Sequence, residues 1–235
     1  MNLVVFSDIH GNLKGFLEFK KYLKDIPYDK IIFLGDVFGY YYEQNDVLRE
    51  LHEMKDLIWI KGNHDENFLK SLKDPGLVNS YIEKYGHSYA LARASITDEE
   101  INFINGIPNM VEFETDGIKI GAFHGTPVNY LEGRLYPDKE VPAEEIPDYE
   151  KYDLIFLGHT HCRMEKRAGK TLIINPGSVG QPRDGRGHSF VVVDTEKMSV
   201  SFYEYHMNYF ELYKQIDLYD PTLSKLKEVL ERKAK

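Results

Sequence analysis

Cysteine is nearly absent from this sequence, with one thiol, Cys162, among 235 residues. A lone thiol excludes an internal disulfide framework, and the expected compartment is the reducing cytoplasm. Long apolar runs are missing too. None approaches the roughly 18 residues a transmembrane helix needs, so no membrane partner is expected. The start, Met-Asn-Leu-Val-Val-Phe-Ser-Asp, lacks the basic lead-in of a signal peptide. Positive charge is in the minority, with 29 Lys and Arg against 38 Asp and Glu, a net −9. Non-specific affinity for a phosphate backbone comes from clustered Lys and Arg, so nucleic acid is a disfavoured partner. A small phosphorylated substrate stays open. Internal repeats and low-complexity tracts are also absent. What is present, 42% hydrophobic and 29% charged residues, describes a folded chain with a core of its own.

Short apolar runs recur between polar stretches: Leu3–Phe6, Ile31–Leu34, Leu57–Ile60, Ile118–Phe123, Leu154–Leu157, Leu172–Ile174 and Phe190–Val193. Each is short, apolar, and closed by a polar or glycine-containing loop, as strands buried on both faces are. Helical stripes lie between the first three, Leu13–Phe16–Leu17–Leu23 and Val47–Leu48–Leu51–Met54. A β-α-β-α-β start predicts an α/β fold with a parallel sheet. The middle reads as two helices, 77–93 and 97–105, the second opened by a capping box, Thr97 to Glu100. Asp116-Gly117 between 111–115 and 118–123 predicts a two-residue hairpin. Residues 126–153 lose periodicity and read as a long surface insertion beside the site. After strands at 189–194 and 199–205, a linker leads to Asp220-Pro221, read as the N-cap and first residue of a last helix through Leu223, Leu226 and Leu230.

The polar residues just after the strands carry the chemistry. Strand ends lead into Asp8-Ile-His10-Gly, Gly35-Asp36, Gly62-Asn63-His64-Asp65, His124-Gly125 and Gly158-His159-Thr-His161. In an open sheet, ligands bind outside the carboxyl ends of the strands, so these five loops can converge. Carboxylates and neutral imidazoles together suit divalent first-row metals: Mn, Fe, Zn, Ni or Co. One ion takes three or four such groups. The surplus suggests two ions sharing a carboxylate, a pair able to clamp a phosphate during in-line attack.

In this order the five blocks resemble the calcineurin-like metallophosphoesterases, over roughly residues 2–205. Leu131-Glu-Gly133 and the run Asn175 to Asp184 resemble the small bacterial and archaeal branch, related to diadenosine tetraphosphatases and phosphodiesterases. The resemblance implies an αββα sandwich of mixed sheets flanked by helices, in a phosphoesterase domain at 1–205 with a helical middle, followed by a C-terminal extension at 206–235. It implies one metal on Asp8, His10 and His161, a second on Asn63, His124 and His159, and Asp36 bridging both. It further implies in-line attack by a bridging hydroxide on a phosphodiester, phosphomonoester or dinucleotide polyphosphate. His64 then assists the leaving group and Asp65 orients it. The competing class is a non-catalytic, metal-binding interaction scaffold of the same fold.

Residues outside the blocks read as follows. Arg183 and Arg186 suit phosphate contacts through their guanidinium forks, against a bracing role for Arg183 with Asp184. Tyr40-Tyr41-Tyr42 suits packing or a dimer contact more than base stacking. Tyr205, Tyr209, Phe210, Tyr213 and Tyr219 suit an oligomer surface, so a homo-oligomer is an open expectation. His52, His87, His188 and His206 read as surface or packing residues, and Cys162 as a small packed side chain.

Overall fold

Two five-stranded sheets account for the apolar runs in the computed structural model, which describes residues 1–234. The first sheet contains β1 (Asn2–Phe6), β2 (Lys30–Phe33), β3 (Leu57–Trp59), β9 (His188–Asp194) and β10 (Ser199–Tyr205), in the order β10-β9-β1-β2-β3. Its β1, β2 and β3 are parallel, while β9 runs antiparallel to both its neighbours, β1 and β10. The second contains β4 (Met110–Thr115), β5 (Ile118–Phe123), β6 (Leu154–Leu157), β7 (Arg163–Ala168) and β8 (Thr171–Pro176), in the order β4-β5-β6-β8-β7.

The sheets face each other. Leu3, Val5, Ile32 and Leu34 of the first meet Ile120, Leu154, Phe156 and Ile174 of the second in one buried cluster. Strand residues alternate faces, so Val4, Phe6, Ile31 and Phe33 point the other way. There they meet Phe16 and Phe19 of α1 (Leu13–Leu23), Val47, Leu48 and Leu51 of α2 (Gln44–His52), and Phe68 and Leu69 of α3 (Asn63–Lys73). Burial on both faces explains why these strands read as continuous apolar runs. The far side of the second sheet carries the 126–153 segment. Its Leu135, Val141, Tyr149 and Tyr152 are buried against Phe123, Ile155 and Ile173, so this segment is packed rather than merely superficial. A single short helix, α7 (Ile146–Tyr149), forms within it.

The expected capping box forms at α6 (Asp98–Gly106): the Glu100 N–H donates to Thr97 Oγ1 at 3.2 Å, and the Thr97 N–H to the Glu100 carboxylate at 2.8 Å. The hairpin also forms, with Asp116 and Gly117 at φ of 50° and 74°. Three expectations change, and one strand was not expected. The helix expected at 77–93 is two, α4 (Gly76–Tyr85) and α5 (Ser88–Arg93), broken at Gly86 with φ of 82°. Asp220 does not cap the last helix. Its buried carboxylate accepts from the His87 N–H at 2.9 Å and Tyr42 Oη at 2.9 Å, and meets His87 Nδ1 at 2.7 Å, tying the chain end to the α4–α5 bend. The linker after β10 contains α8 (Phe210–Tyr219), and the last helix is only α9 (Lys225–Glu228). Finally, β7 is an edge strand in which Met164 and Ala168 are buried, too polar a pattern to read as an apolar run.

The tyrosine run and the chain end form one cluster. Tyr41 is fully buried among Leu212, Ile216, Leu226 and Val229, and Tyr42 and Tyr213 pack against them. Tyr205 and Tyr209 are also used internally, through bonds to the Gly15 carbonyl and to His188. Of the five aromatic residues expected at an oligomer surface, only Phe210 and Tyr219 are exposed.

Candidate metal centre

Strand register brings the polar loops together. Phe6 lies opposite Phe33, and Phe123 opposite Leu157, so Asp8, Asp36, His124 and His159 emerge from neighbouring strand ends. Backbone bonds then fix the loops: the Asp8 N–H donates to the Gly35 carbonyl and the His10 N–H to the Asp36 carbonyl, both at 3.0 Å. Asp8, His10, Asp36, His159 and His161 all have φ between 52° and 67°. Asp and His tolerate this left-handed region better than most residues, yet each costs about 1–2 kcal/mol, so the surrounding bonds must impose it.

Two ligand groups result. Asp8, His10 and His161 offer atoms within 4.8 Å of one another, and so do Asp36, His124 and His159. Asn63 Oδ1 joins the second group, 3.0 Å from His124 Nε2 and 2.8 Å from His159 Nδ1. The structure thus gathers all seven candidate ligands in one place.

The donor set fits cations. Three imidazoles donate Nδ1–H to backbone carbonyls: His10 to Phe38 at 2.7 Å, His124 to Leu34 at 2.7 Å, and His161 to Gln181 at 2.6 Å. Each therefore turns Nε2 inward, as metal-binding histidines do. His10 Nε2 and His161 Nε2 face each other at 3.1 Å. Both oxygens of Asp8 and Oδ2 of Asp36 are buried without a hydrogen-bond partner. Buried carboxylates are ordinarily paired or coordinate metal.

Electrostatics shows the same convergence. Burial works against the charged forms of Asp8 and Asp36. The surrounding histidines, His161 above all for Asp8 and His124 for Asp36, overcome it and hold both carboxyls below their usual range. Burial likewise disfavours imidazolium at His124, but the Asp36 charge 3.2 Å away raises it to about 9. A proton there neutralises charge that a cation would otherwise balance. Burial leaves His159 at about 3 and His161 at about 4, both neutral at pH 7.

His64 stands beside the ligands, buried, with its ring 4.9 Å from that of His10. Its partner is not Asp65. The Asp65 carboxylate accepts from the backbone N–H groups of Asp36, Val37, Phe38 and Gly62 at 2.8–3.3 Å and braces the Asp36 loop. Burial and the Asp36 charge push its carboxyl up to about 6, still ionised at neutral pH. His64 Nδ1 instead meets the Tyr89 hydroxyl at 2.7 Å, and that hydroxyl donates to the His64 carbonyl at 3.2 Å. Nδ1 is therefore the donor, and Nε2 is left free. Gly62 permits this packing, because a Cβ there would collide with the Asp36 carboxylate.

A cleft of about 380 Å³ opens over Asp36, Asn63, His64, His159 and His161. Arg183 lines it, its guanidinium 5.4 Å from the Tyr40 ring and bonded to Gln181, while Asp184 pairs with Arg163 instead. Arg186 is exposed and lies outside the cleft. Arg134 was not anticipated: its Nε donates to His159 Nε2 at 2.9 Å inside the cleft. Its position directly after Leu131-Glu-Gly133 was the available signal. Tyr89 had none, since a tyrosine on a helix reads as packing. Of the histidines outside the blocks, His188 is buried between the Val179 carbonyl and the Tyr209 hydroxyl.

Residues 1–198 match the family described as the calcineurin-like phosphoesterase superfamily domain. The chain belongs to this superfamily. Among its relatives, an uncharacterized protein of Methanocaldococcus jannaschii is 30% identical over 213 residues, 83% of either chain. Phosphodiesterase YfcE of Escherichia coli K12 is 33% identical over 201 residues, 85% of this chain and 91% of that protein. The crystal structure of a hypothetical protein from Pyrococcus horikoshii superposes with a TM-score of 0.79 over 99% of both chains, at 21% identity. That likeness speaks for the fold, two mixed sheets flanked by helices. Among the described residues, no helix of this superfamily member is long and apolar enough to cross a membrane.

Proposed function

We propose that this calcineurin-like chain is a metal-dependent phosphoric ester hydrolase acting on small phosphoesters, with phosphodiesters foremost. The observation that carries it is the set of inward Nε2 atoms and unpartnered carboxylate oxygens beside His64 at the floor of an open cleft. The 33% identity to a phosphodiesterase supports the diester preference. Asp8, His10 and His161 would hold one divalent ion, Asn63, His124 and His159 a second, and Asp36 would serve both. When bound, the ions supply positive charge for phosphoryl oxygens and an activated water at neutral pH.

The chain's own groups do the rest. Arg134 and Arg183 bind the phosphate as it enters, since a guanidinium fork matches two phosphate oxygens. His64 is kept neutral because burial holds its imidazole well below the ordinary value. An arriving phosphate anion favours protonation at Nε2, and that proton passes to the leaving oxygen. Tyr89 keeps the ring oriented by accepting from Nδ1. Asp65 acts one step back, fixing the loop that presents Asp36. The −9 net charge does not oppose an anionic substrate, because bound cations outweigh it locally.

The test is a panel assay. Protein reconstituted with Mn, Ni, Co, Zn or Fe is offered bis-p-nitrophenyl phosphate, p-nitrophenyl phosphate and diadenosine tetraphosphate. Metal-dependent turnover, faster on bis-p-nitrophenyl phosphate than on p-nitrophenyl phosphate, is expected. No hydrolysis of any substrate at full metal occupancy would overturn the reading in favour of a binding scaffold.

A further inference from the structure

The C-terminal extension builds a second cavity against the metal cleft. It measures about 420 Å³, within the size range of small-ligand sites. Lys225 and Arg232 line it from the chain end, and Arg183, Tyr40 and Tyr136 form a wall shared with the cleft. The two spaces are therefore neighbours, with these three side chains bordering both.

Its charge is the informative property. Lys225, Arg232 and Arg183 all face the cavity, and no carboxylate lines it. Among the described residues, none of the three has an acidic partner within 4.0 Å. The nearby acids are engaged elsewhere, Asp184 on Arg163 and Glu231 on Tyr213. Three cations without an acidic partner among the described residues, on a chain with a net charge of −9, form a place prepared for an anion. Tyr136 is 38% exposed at the junction and offers an open aromatic face.

We infer that Lys225, Arg232 and Arg183 form a subsite for a second phosphoryl group of the substrate, beyond the one that sits at the metal centre. The substrate class is then a small phosphoester that carries a further phosphoryl group beyond the one cleaved. This rests on the phosphoesterase reading for the first phosphate, while the subsite itself is read from Lys225 and Arg232, with Arg183 shared between the two phosphates. The extension becomes a specificity element, placed by the packing of Leu226 and Val229 against Tyr41.

Calorimetry on the full, metal-free chain in EDTA tests this with inorganic tripolyphosphate as probe, for wild type, Lys225→Gln, Arg232→Gln and the double variant. Lys24→Gln, an exposed lysine just past the C-terminal end of α1 and outside the cavity lining, is the control. The double variant should bind tripolyphosphate at least about tenfold more weakly, as expected for losing charge-assisted bonds. In the metal-loaded enzyme its KM for diadenosine tetraphosphate should rise by a similar factor. Equal affinity in wild type and double variant, with circular dichroism unchanged, overturns the subsite even if bis-p-nitrophenyl phosphate is hydrolysed. Lysine- and arginine-dependent binding without hydrolysis of any substrate supports the subsite and overturns the phosphoesterase reading alone.

Discussion

His64 is held from behind by the hydroxyl of Tyr89, twenty-five residues away, and not by the carboxylate that follows it in the chain. Two substitutions separate chemistry from orientation at this position. His64→Ala removes the proposed proton donor but none of the seven candidate ligands. Metal content measured by mass spectrometry should stay at the wild-type level while kcat falls by roughly 10²–10⁴. Undiminished kcat would remove His64 from the reaction. Tyr89→Phe keeps the ring in place but frees its tilt, so kcat should fall about tenfold with KM little changed. A KM change without a kcat change would instead assign Tyr89 to substrate binding. Asp65 was legible as part of the site from the Gly62-Asn63-His64-Asp65 run, but its bracing role was not. Adjacent side chains on a helix do not face each other, and Asp65 turns back to the Gly62 N–H ahead of α3 and to the N–H groups of Asp36, Val37 and Phe38.

At the scale of elements, bends and buried joints decide where the pieces meet. Gly86 breaks the middle helix in two, and a Cβ there would press on the Asp220 carboxylate. Gly86→Ala combines that clash with a left-handed φ, and should destabilise the protein by about 1–3 kcal/mol. It should also speed proteolysis between β10 and α8 before the core unfolds. Urea unfolding combined with limited proteolysis reads both effects. His188 of β9 is a second joint, buried and neutral, with burial lowering it from 6.5 to about 4. The unfolded chain takes up a proton below pH 6.5 and the folded one only near pH 4. This contribution is complete above pH 6.5 and is lost as the pH falls, in total about 3 kcal/mol. Unfolding of metal-free protein from pH 7 to 4 should show a shallower loss in His188→Gln than in wild type. Parallel pH profiles would assign the acid sensitivity to other groups.

Across the whole molecule, the centre joins residues from both sheets, so ligand binding and fold stability are coupled. Metal at about a hundred times its Kd should add about 2.7 kcal/mol, raising Tm by roughly 5–10 °C over the EDTA-treated form in a thermal melt. Identical melting with and without divalent ions would argue against occupation of the buried carboxylates. The apolar runs, the hairpin, the Thr97 cap and the five polar loops were all readable in the chain. Each depends on local periodicity or on a short spacing, which neighbours in sequence carry by themselves. The identity of the candidate ligands was determined in the same way, through residue types at strand ends. Only the tertiary structure decided which partner each one meets: Tyr89 for His64, Arg134 for His159, Asp220 for the α4–α5 bend, and Lys225 with Arg232 beside the cleft. Those contacts span from about twenty-five to more than a hundred residues. They arise from register and packing between elements, and no local pattern of hydrophobic and polar residues encodes the position of a distant surface.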